Sequence, residues 1–358
     1  MQKNYVGQKM LDIHNQMCEE LPSLCRIAIA VYDPDTDELK TFASSNTNDH
    51  TLQQYSAKLN EVASLKELVD EKRTRVIQNL ESISDSRSSH TQWLIDSGFK
   101  SSYTVPLFSG DKLNGFLFFD SEKADYFTEP VTHSLVIYAE LINSTLVREI
   151  GPISTLRTAL NAASQFSQQN NHSDHLLRIG RYSYLLAMKV SAELGIADEF
   201  AEFILKYAPL LDIGKIGIPD SILCKATRLN PVEFETVKEH VTIGLRVVES
   251  IISEFELQDL GHLEILRNII ATHHEKYDGS GYPKGLKGDA IPLEGRITAI
   301  ADVLDALTCG RPHRGCWDFD VGVNYILDHS GSHFDPLCTS MLERYRDEFR
   351  DIHTRYSE

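Results

Sequence analysis

His273-His274-Glu275-Lys276-Tyr277-Asp278-Gly279-Ser280-Gly281-Tyr282-Pro283 is the stretch around which this chain is organised. The segment before it, Leu263 to Ala271, reads as a helix with an apolar stripe at Leu266, Ile269 and Ile270. Spacings of three and four carry that stripe onto His273 and His274, so two imidazoles stand where core side chains are expected. Neutral imidazoles side by side in an apolar interior need a partner, and a divalent metal suits their chemistry. Gly279 and Gly281 then break the helix, and Pro283 stiffens the turn that presents Tyr282. Ligands at a helix end, followed by a tight loop tipped with one aromatic ring, have the form of a site and its lip.

Outward from this stretch, the pattern from about residue 172 is helical almost throughout: 175–194, 197–211, 231–253, 261–275, 294–309, 318–330 and 335–350. Asn230-Pro231 marks a helix start, an N-cap residue with proline in the first turn. An all-α bundle of this size has a core in which ligands from several helices can converge. His175 opens the first helix, and Asp212 ends the second within Leu211-Asp212-Ile213-Gly214-Lys215-Ile216-Gly217. His240 shares a face with Val237, Val241 and Gly244, while Asp302 stands among Ile297, Ile300 and Leu304. Any one of these is as well explained by a hydrogen-bonded core residue. Together with His273 and His274 they would require many independent buried partners, and shared metals are the more economical arrangement.

His175-x-x-Arg178, Asp212-Ile-Gly-Lys215, His240, His273-His274-Glu275, Gly281-Tyr282-Pro283 and Asp302-Val-Leu-Asp305 together resemble the HD-GYP family of cyclic di-GMP phosphodiesterases, over about residues 152–350. The resemblance implies an HD-type helical bundle holding a di-metal centre, iron or manganese, that activates water for attack on a cyclic dinucleotide. Two metals suit a phosphodiester because one lowers the pKa of the nucleophile while both neutralise phosphoryl charge. By position, Asp212 matches the bridging carboxylate, and His240, His273 and His274 match one metal's imidazoles. His175 and Asp302 match ligands of the other metal. Lys215 matches the lysine facing the scissile phosphate, and Tyr282 the lip tyrosine whose ring can stack on guanine. Arg311 and Arg314 match a pair contacting substrate phosphate, a task suited to the guanidinium fork; between them stands His313, where the family often has tyrosine.

Two departures from the family pattern bear on activity. Leu211 replaces the histidine of the name-giving His-Asp pair, so the expectation is one firm metal and a weaker second. The alternative is a catalytically impaired cyclic-dinucleotide receptor. Asn171 stands where members with a third metal carry glutamate, which argues against a tri-metal centre.

The first 150 residues read differently. After an amphipathic helix over 1–22, Arg26–Tyr32 alternates and Glu38–Ser44 continues as a second strand. Leu65–Asn79 reads as helix into strand, Ser101–Phe108 and Lys112–Asp120 as a hairpin, and Phe127–Ile150 as helix. This order, with the phrase VPLFSGDKLNGFLFFDS, resembles the GAF family of sensor domains, which implies an unidentified small ligand. The expected fold is thus an α+β GAF-like domain over 1–150, a linker helix over 151–171, and an all-α HD-type bundle over 172–358. Gly151-Pro152 is expected to punctuate the helical run. The helices over 130–170 read equally as a lever and homodimer contact or as a rigid spacer.

Composition fits these assignments. The 358 residues are long enough for two cores. Lys plus Arg number 35 against 52 Asp plus Glu, and this net charge of -17 opposes polynucleotide binding, though not a small phosphorylated ligand. No apolar run approaches the roughly 20 residues of a membrane span, and the N-terminus lacks a secretory apolar segment. Six scattered cysteines without a CxxC pair match a reducing, cytoplasmic setting.

Overall fold

The computed structural model describes residues 5–45, 56–83, 89–165, 172–225, 227–258, 260, 262–309 and 315–356. Asn171, Arg311, His313 and Arg314 lie outside the described residues. The chain divides into two compact units, Met1–Pro152 with Ala197–Glu199, and Ile153–Ile196 with Phe200–Glu358.

The first unit is built from α1 (Tyr5–Glu20), β1 (Arg26–Asp33), β2 (Glu38–Ser44), β3 (Ser56–Lys58), α2 (Ala63–Asp70), β4 (Arg75–Ile77), α3 (Ser89–Asp96), β5 (Ser101–Ser109) and β6 (Lys112–Ser121). Among the described residues, six strands form one sheet in the order β3-β2-β1-β6-β5-β4, every pair antiparallel. The central strand β6 buries Phe116, Leu117, Phe118 and Phe119 in succession, so it is covered on both faces. That explains why its sequence shows a continuous apolar run rather than alternation. One of these faces packs Phe116 and Phe118 against Ala28, Leu39, Leu59, Leu68 and Leu113; each such aromatic contributes on the order of 1.5–3 kcal/mol. Strand β3 and helix α3 were not anticipated, since three and eight residues are too short to display a clear period.

Helix α4 (Glu129–Gln165) differs from expectation by running unbroken through Gly151-Pro152. Proline removes one backbone donor, and the ladder on either side carries the helix past that point.

The second unit is helical: α5 (His172–Leu194), α6 (Asp198–Tyr207), α7 (Asp220–Leu223), α8 (Pro231–Lys238), α9 (His240–Glu254), α10 (Leu263–Thr272), α11 (Leu293–Thr308), α12 (Phe319–Asp328), α13 (Pro336–Arg344) and α14 (Arg346–Arg355). The single helix expected over 231–253 is two. Asn230 and Glu233 close a capping box on α8, and Glu239 separates α8 from α9 while keeping φ -61° and ψ -18°. The expected helix over 335–350 likewise divides at Tyr345. Ile179, Tyr182 and Leu186 of α5 and Ile297, Ile300 and Leu304 of α11 are fully buried, which places the core along these two helices.

Candidate metal centre

Four of the predicted residues come together. Asp212, His240, His273 and His274 each offer one ligand atom, and these atoms all lie within 4.8 Å of one another. Asp212 enters at the head of a 3-10 turn, Ile213–Gly217, and His240 is the first residue of α9. His273 caps the C-terminus of α10, with His274 next in the chain.

Close backbone approach makes the meeting feasible. A Cβ added to Gly214 would stand 1.9 Å from the carbonyl oxygen of His240 and 2.4 Å from the amide nitrogen of Gly244. Only glycine lets the turn bearing Asp212 lie this near to α9. The glycine of Asp-Ile-Gly-Lys is therefore a packing requirement of the site.

The hydrogen bonds settle which nitrogens face inward. His240 Nδ1 donates to the Val237 carbonyl at 2.6 Å, and His273 Nδ1 donates to the carbonyls of Ile269 and Ile270 at 3.0 and 3.1 Å. In the neutral rings both Nε2 atoms therefore carry lone pairs. These atoms lie 3.3 Å apart, with Asp212 Oδ1 3.4 Å from that of His240 and 3.9 Å from that of His273. Oδ1 is buried and has no hydrogen-bond partner. Converging lone pairs beside an orphaned carboxylate oxygen repel one another unless a cation lies among them. The donor set of imidazoles and one carboxylate fits a divalent first-row metal.

Charge in the cluster is tuned for that task. Burial lowers the pKa of His240 against the pull of Asp212, and pushes His274 down to about 2 with help from His273. Burial disfavours the Asp212 carboxylate, but the Lys215 ammonium and the neighbouring imidazoles outweigh it and hold the carboxyl well below its usual range. Lys215 Nζ donates to Asp212 Oδ2 at 2.6 Å.

Asp302 and His175 fall outside this cluster of four. Burial and then the Asp212 carboxylate raise the pKa of Asp302. His175 Nδ1 meets Asp305 Oδ2 at 2.5 Å, and Asp305 Oδ1 takes the Nε–H of Arg178 at 2.5 Å. Arg178 in turn donates to the Tyr356 carbonyl at 2.6 Å. Burial opposes ionisation of Asp305, but His175 and Arg178 keep its pKa low. Leu211, which is 1% exposed, is part of the core.

The loop after the histidines is held from within. Glu275, buried at 2% exposure, accepts the amides of Lys284 at 2.8 Å and Leu286 at 3.0 Å. Gly281 crosses so near the Glu275 and Lys276 backbone that a Cβ there would lie 2.3 Å from the Lys276 nitrogen. Tyr282 donates its amide to the His274 carbonyl at 3.2 Å, and its ring lies 4.7 Å from the His274 ring. Lys238 Nζ is 5.2 Å from the Tyr282 ring, so this lip tyrosine already carries two neighbours.

Sequence reasoning assigned no role to Asp305 or Glu275, although both stood inside quoted motifs. Asp305 lies one turn after Asp302 and could have been read as the carboxylate behind His175. Nothing in the sequence showed that Glu275 binds two amides nine and eleven residues downstream.

Comparison with known proteins agrees with this picture. The HD domain model matches residues 157–337 and the GAF domain model residues 10–146. The chain belongs to the HD domain family, with a GAF domain ahead of the helical part. A cyclic di-GMP phosphodiesterase of Vibrio cholerae serotype O1 is 34% identical over 259 residues, 71% of this chain and 49% of that protein. A cyclic di-GMP phosphodiesterase response regulator of Xanthomonas campestris pv. campestris is 42% identical over 168 residues, 47% of this chain and 43% of its own. The 3'3'-cGAMP-specific phosphodiesterase 2 of Vibrio cholerae is 39% identical over 175 residues, 49% of this chain and 31% of its own. The chain spans about half the length, or less, of these relatives.

Proposed function

We propose that the chain is a metal-dependent phosphodiesterase that opens cyclic di-GMP or a related cyclic dinucleotide, with the GAF domain receiving a small regulatory ligand. The observation that carries this reading is the meeting of the His240 and His273 Nε2 atoms, 3.3 Å apart, with the unpartnered Asp212 Oδ1. Asp212, His240, His273 and His274 would hold the firm cation; iron or manganese is what the family resemblance implies, and the imidazole–carboxylate donor set suits either. Asp302 and His175 would serve a second, weaker one; the like charge of Asp212 on half-buried Asp302 is what such a cation would relieve. A divalent ion bound there supplies Lewis acidity, polarising water and phosphoryl oxygens.

The chain's own groups do the rest. Lys215, already on Asp212, presents an ammonium where a phosphate oxygen would approach the cluster. Tyr282, held against His274, lines the entrance. Arg311 and Arg314 are proposed phosphate contacts by their position in the motif. Glu275 positions the loop through two amides.

Protein purified without air is expected to hold between one and two metals per chain and to linearise cyclic di-GMP, with activity lost on chelation and restored by iron or manganese. Leu211→His is expected to raise the second metal's occupancy and the rate. Turnover by Leu211→His alone would favour the receptor reading instead. The exposed Ile137 and Leu141 of α4 support pairing of two copies through this helix, which light scattering tests. A cytoplasmic setting accords with the free cysteines; among the described residues no helix is long and apolar enough to cross a membrane.

A further inference from the structure

We propose that Glu235 and Lys238 of α8 form a base-reading edge beside Tyr282 that selects guanine over adenine; the inference rests on the cyclic-dinucleotide reading above. Lys238 Nζ is 5.0 Å from the Phe234 ring and 5.2 Å from the Tyr282 ring, so the ammonium lies within cation–π reach of two aromatics. It also meets Glu235 Oε1 at 2.7 Å. The Lys238 side chain is 28% exposed, whereas that of Glu235 is 69% exposed, which leaves the carboxylate open to a ligand. Phe234, itself 46% exposed, adds an apolar surface next to the pair.

The chemistry follows from the order of donor and acceptor. The Watson–Crick edge of guanine presents an acceptor, O6, followed by two donors, N1–H and the 2-amino group. An ammonium beside a carboxylate complements that order: Lys238 donates to O6, and Glu235 accepts from N1–H and the amino group. Adenine presents the reverse, an amino donor followed by the bare N1. Against the same pair it would set donor against ammonium and lone pair against carboxylate. A site built on hydrogen bonds rejects a mismatched base more strongly than a merely apolar one does.

The pair is not an ordinary surface ion pair. Lys238 is anchored by rings from two separate segments, α8 and the loop tipped by Tyr282, and the latter ring also contacts a histidine of the metal cluster. The edge therefore stands next to the place where a dinucleotide must lie for its phosphate to reach Lys215.

The test uses the metal-loaded full chain, with cyclic di-GMP and cyclic di-AMP as probes. Dissociation constants come from calorimetry, and kcat/KM from product separation. Wild type is expected to favour cyclic di-GMP, and Glu235→Ala to narrow the preference by about tenfold or more, the effect of losing a charged hydrogen bond. Lys238→Met, which keeps the apolar stem on the rings, is expected to narrow it too. A preference unchanged in both variants, or a wild type that favours adenine, overturns the inference while leaving the phosphodiesterase reading intact. Selective binding without turnover, lost in the variants, upholds the inference and overturns the catalytic reading. Failure to bind either dinucleotide overturns both.

Discussion

Gly214→Ala tests the geometry on which the metal centre depends. The added Cβ would sit 1.9 Å from the His240 carbonyl oxygen, where ordinary contact begins at 3.4 Å, so the two segments must part by about 1.5 Å (3.4 less 1.9). Both obstructing atoms, the His240 oxygen and the Gly244 nitrogen, are backbone and cannot swing aside. Separation moves either the turn carrying Asp212 or the first turn of α9 carrying His240. Metal–ligand distances tolerate only about 0.2 Å, so either Asp212 or His240 leaves the proposed coordination sphere and one of the four candidate ligands is lost. Overpacking should cost about 1–3 kcal/mol of stability, and a 1 Å misplacement near the reacting atoms about 100-fold in rate. Gly217→Ala in the same turn is the control, since the three atoms nearest its Cβ all belong to the Ile243 side chain, the closest at 2.8 Å, and a side chain can yield where backbone cannot. The assay is metal per chain after dialysis, the melting shift on adding manganese, and turnover of cyclic di-GMP. Wild-type metal content and rate in Gly214→Ala would refute the reasoning.

Glu275→Ala should orphan the Lys284 and Leu286 amides, costing about 1–3 kcal/mol and raising KM more than it lowers kcat; faster hydrogen exchange at those amides checks the cause. Asp305→Ala leaves the buried Arg178 guanidinium unpaired and His175 without its Nδ1 partner, a loss of about 3–5 kcal/mol by urea denaturation. A loss under about 1 kcal/mol would show that the pair is dispensable. His333 has its pKa pushed down to about 4, by burial and then by Lys276, against about 6.5 unfolded. Between those values the unfolded chain takes a proton that the folded chain refuses, so this contribution is full above pH 6.5 and shrinks as pH falls toward 4. His333→Gln should flatten that acid slope in denaturant midpoints compared across this window.

Much of the candidate site was legible along the chain because residues of ligand type obey helical periodicity. His273 and His274 prolong the apolar stripe of α10, His240 shares a face with Val241 and Gly244, and Asp302 sits among the apolar residues of α11. The strands β1, β2, β5 and β6 were equally readable, since turn residues bound each of them. What periodicity cannot report is distance between segments. It could not show that Gly214 admits the His240 carbonyl, that Glu275 reaches forward to two amides, or that Asp305 rather than a metal occupies one nitrogen of His175. It likewise misjudged Pro152, because a long helix tolerates one missing donor.

Residue types and their spacing along each helix determined by themselves that this chain carries imidazoles and carboxylates of ligand type ahead of a tyrosine-tipped loop, in a helical unit after a sheet-containing one. Only the tertiary structure decided that Asp212, His240, His273 and His274 form one cluster, with Asp302 and His175 outside it and Lys238 near two rings. The reason is physical: local pattern follows from the chain's own geometry, whereas convergence depends on how closely backbones from distant segments can approach.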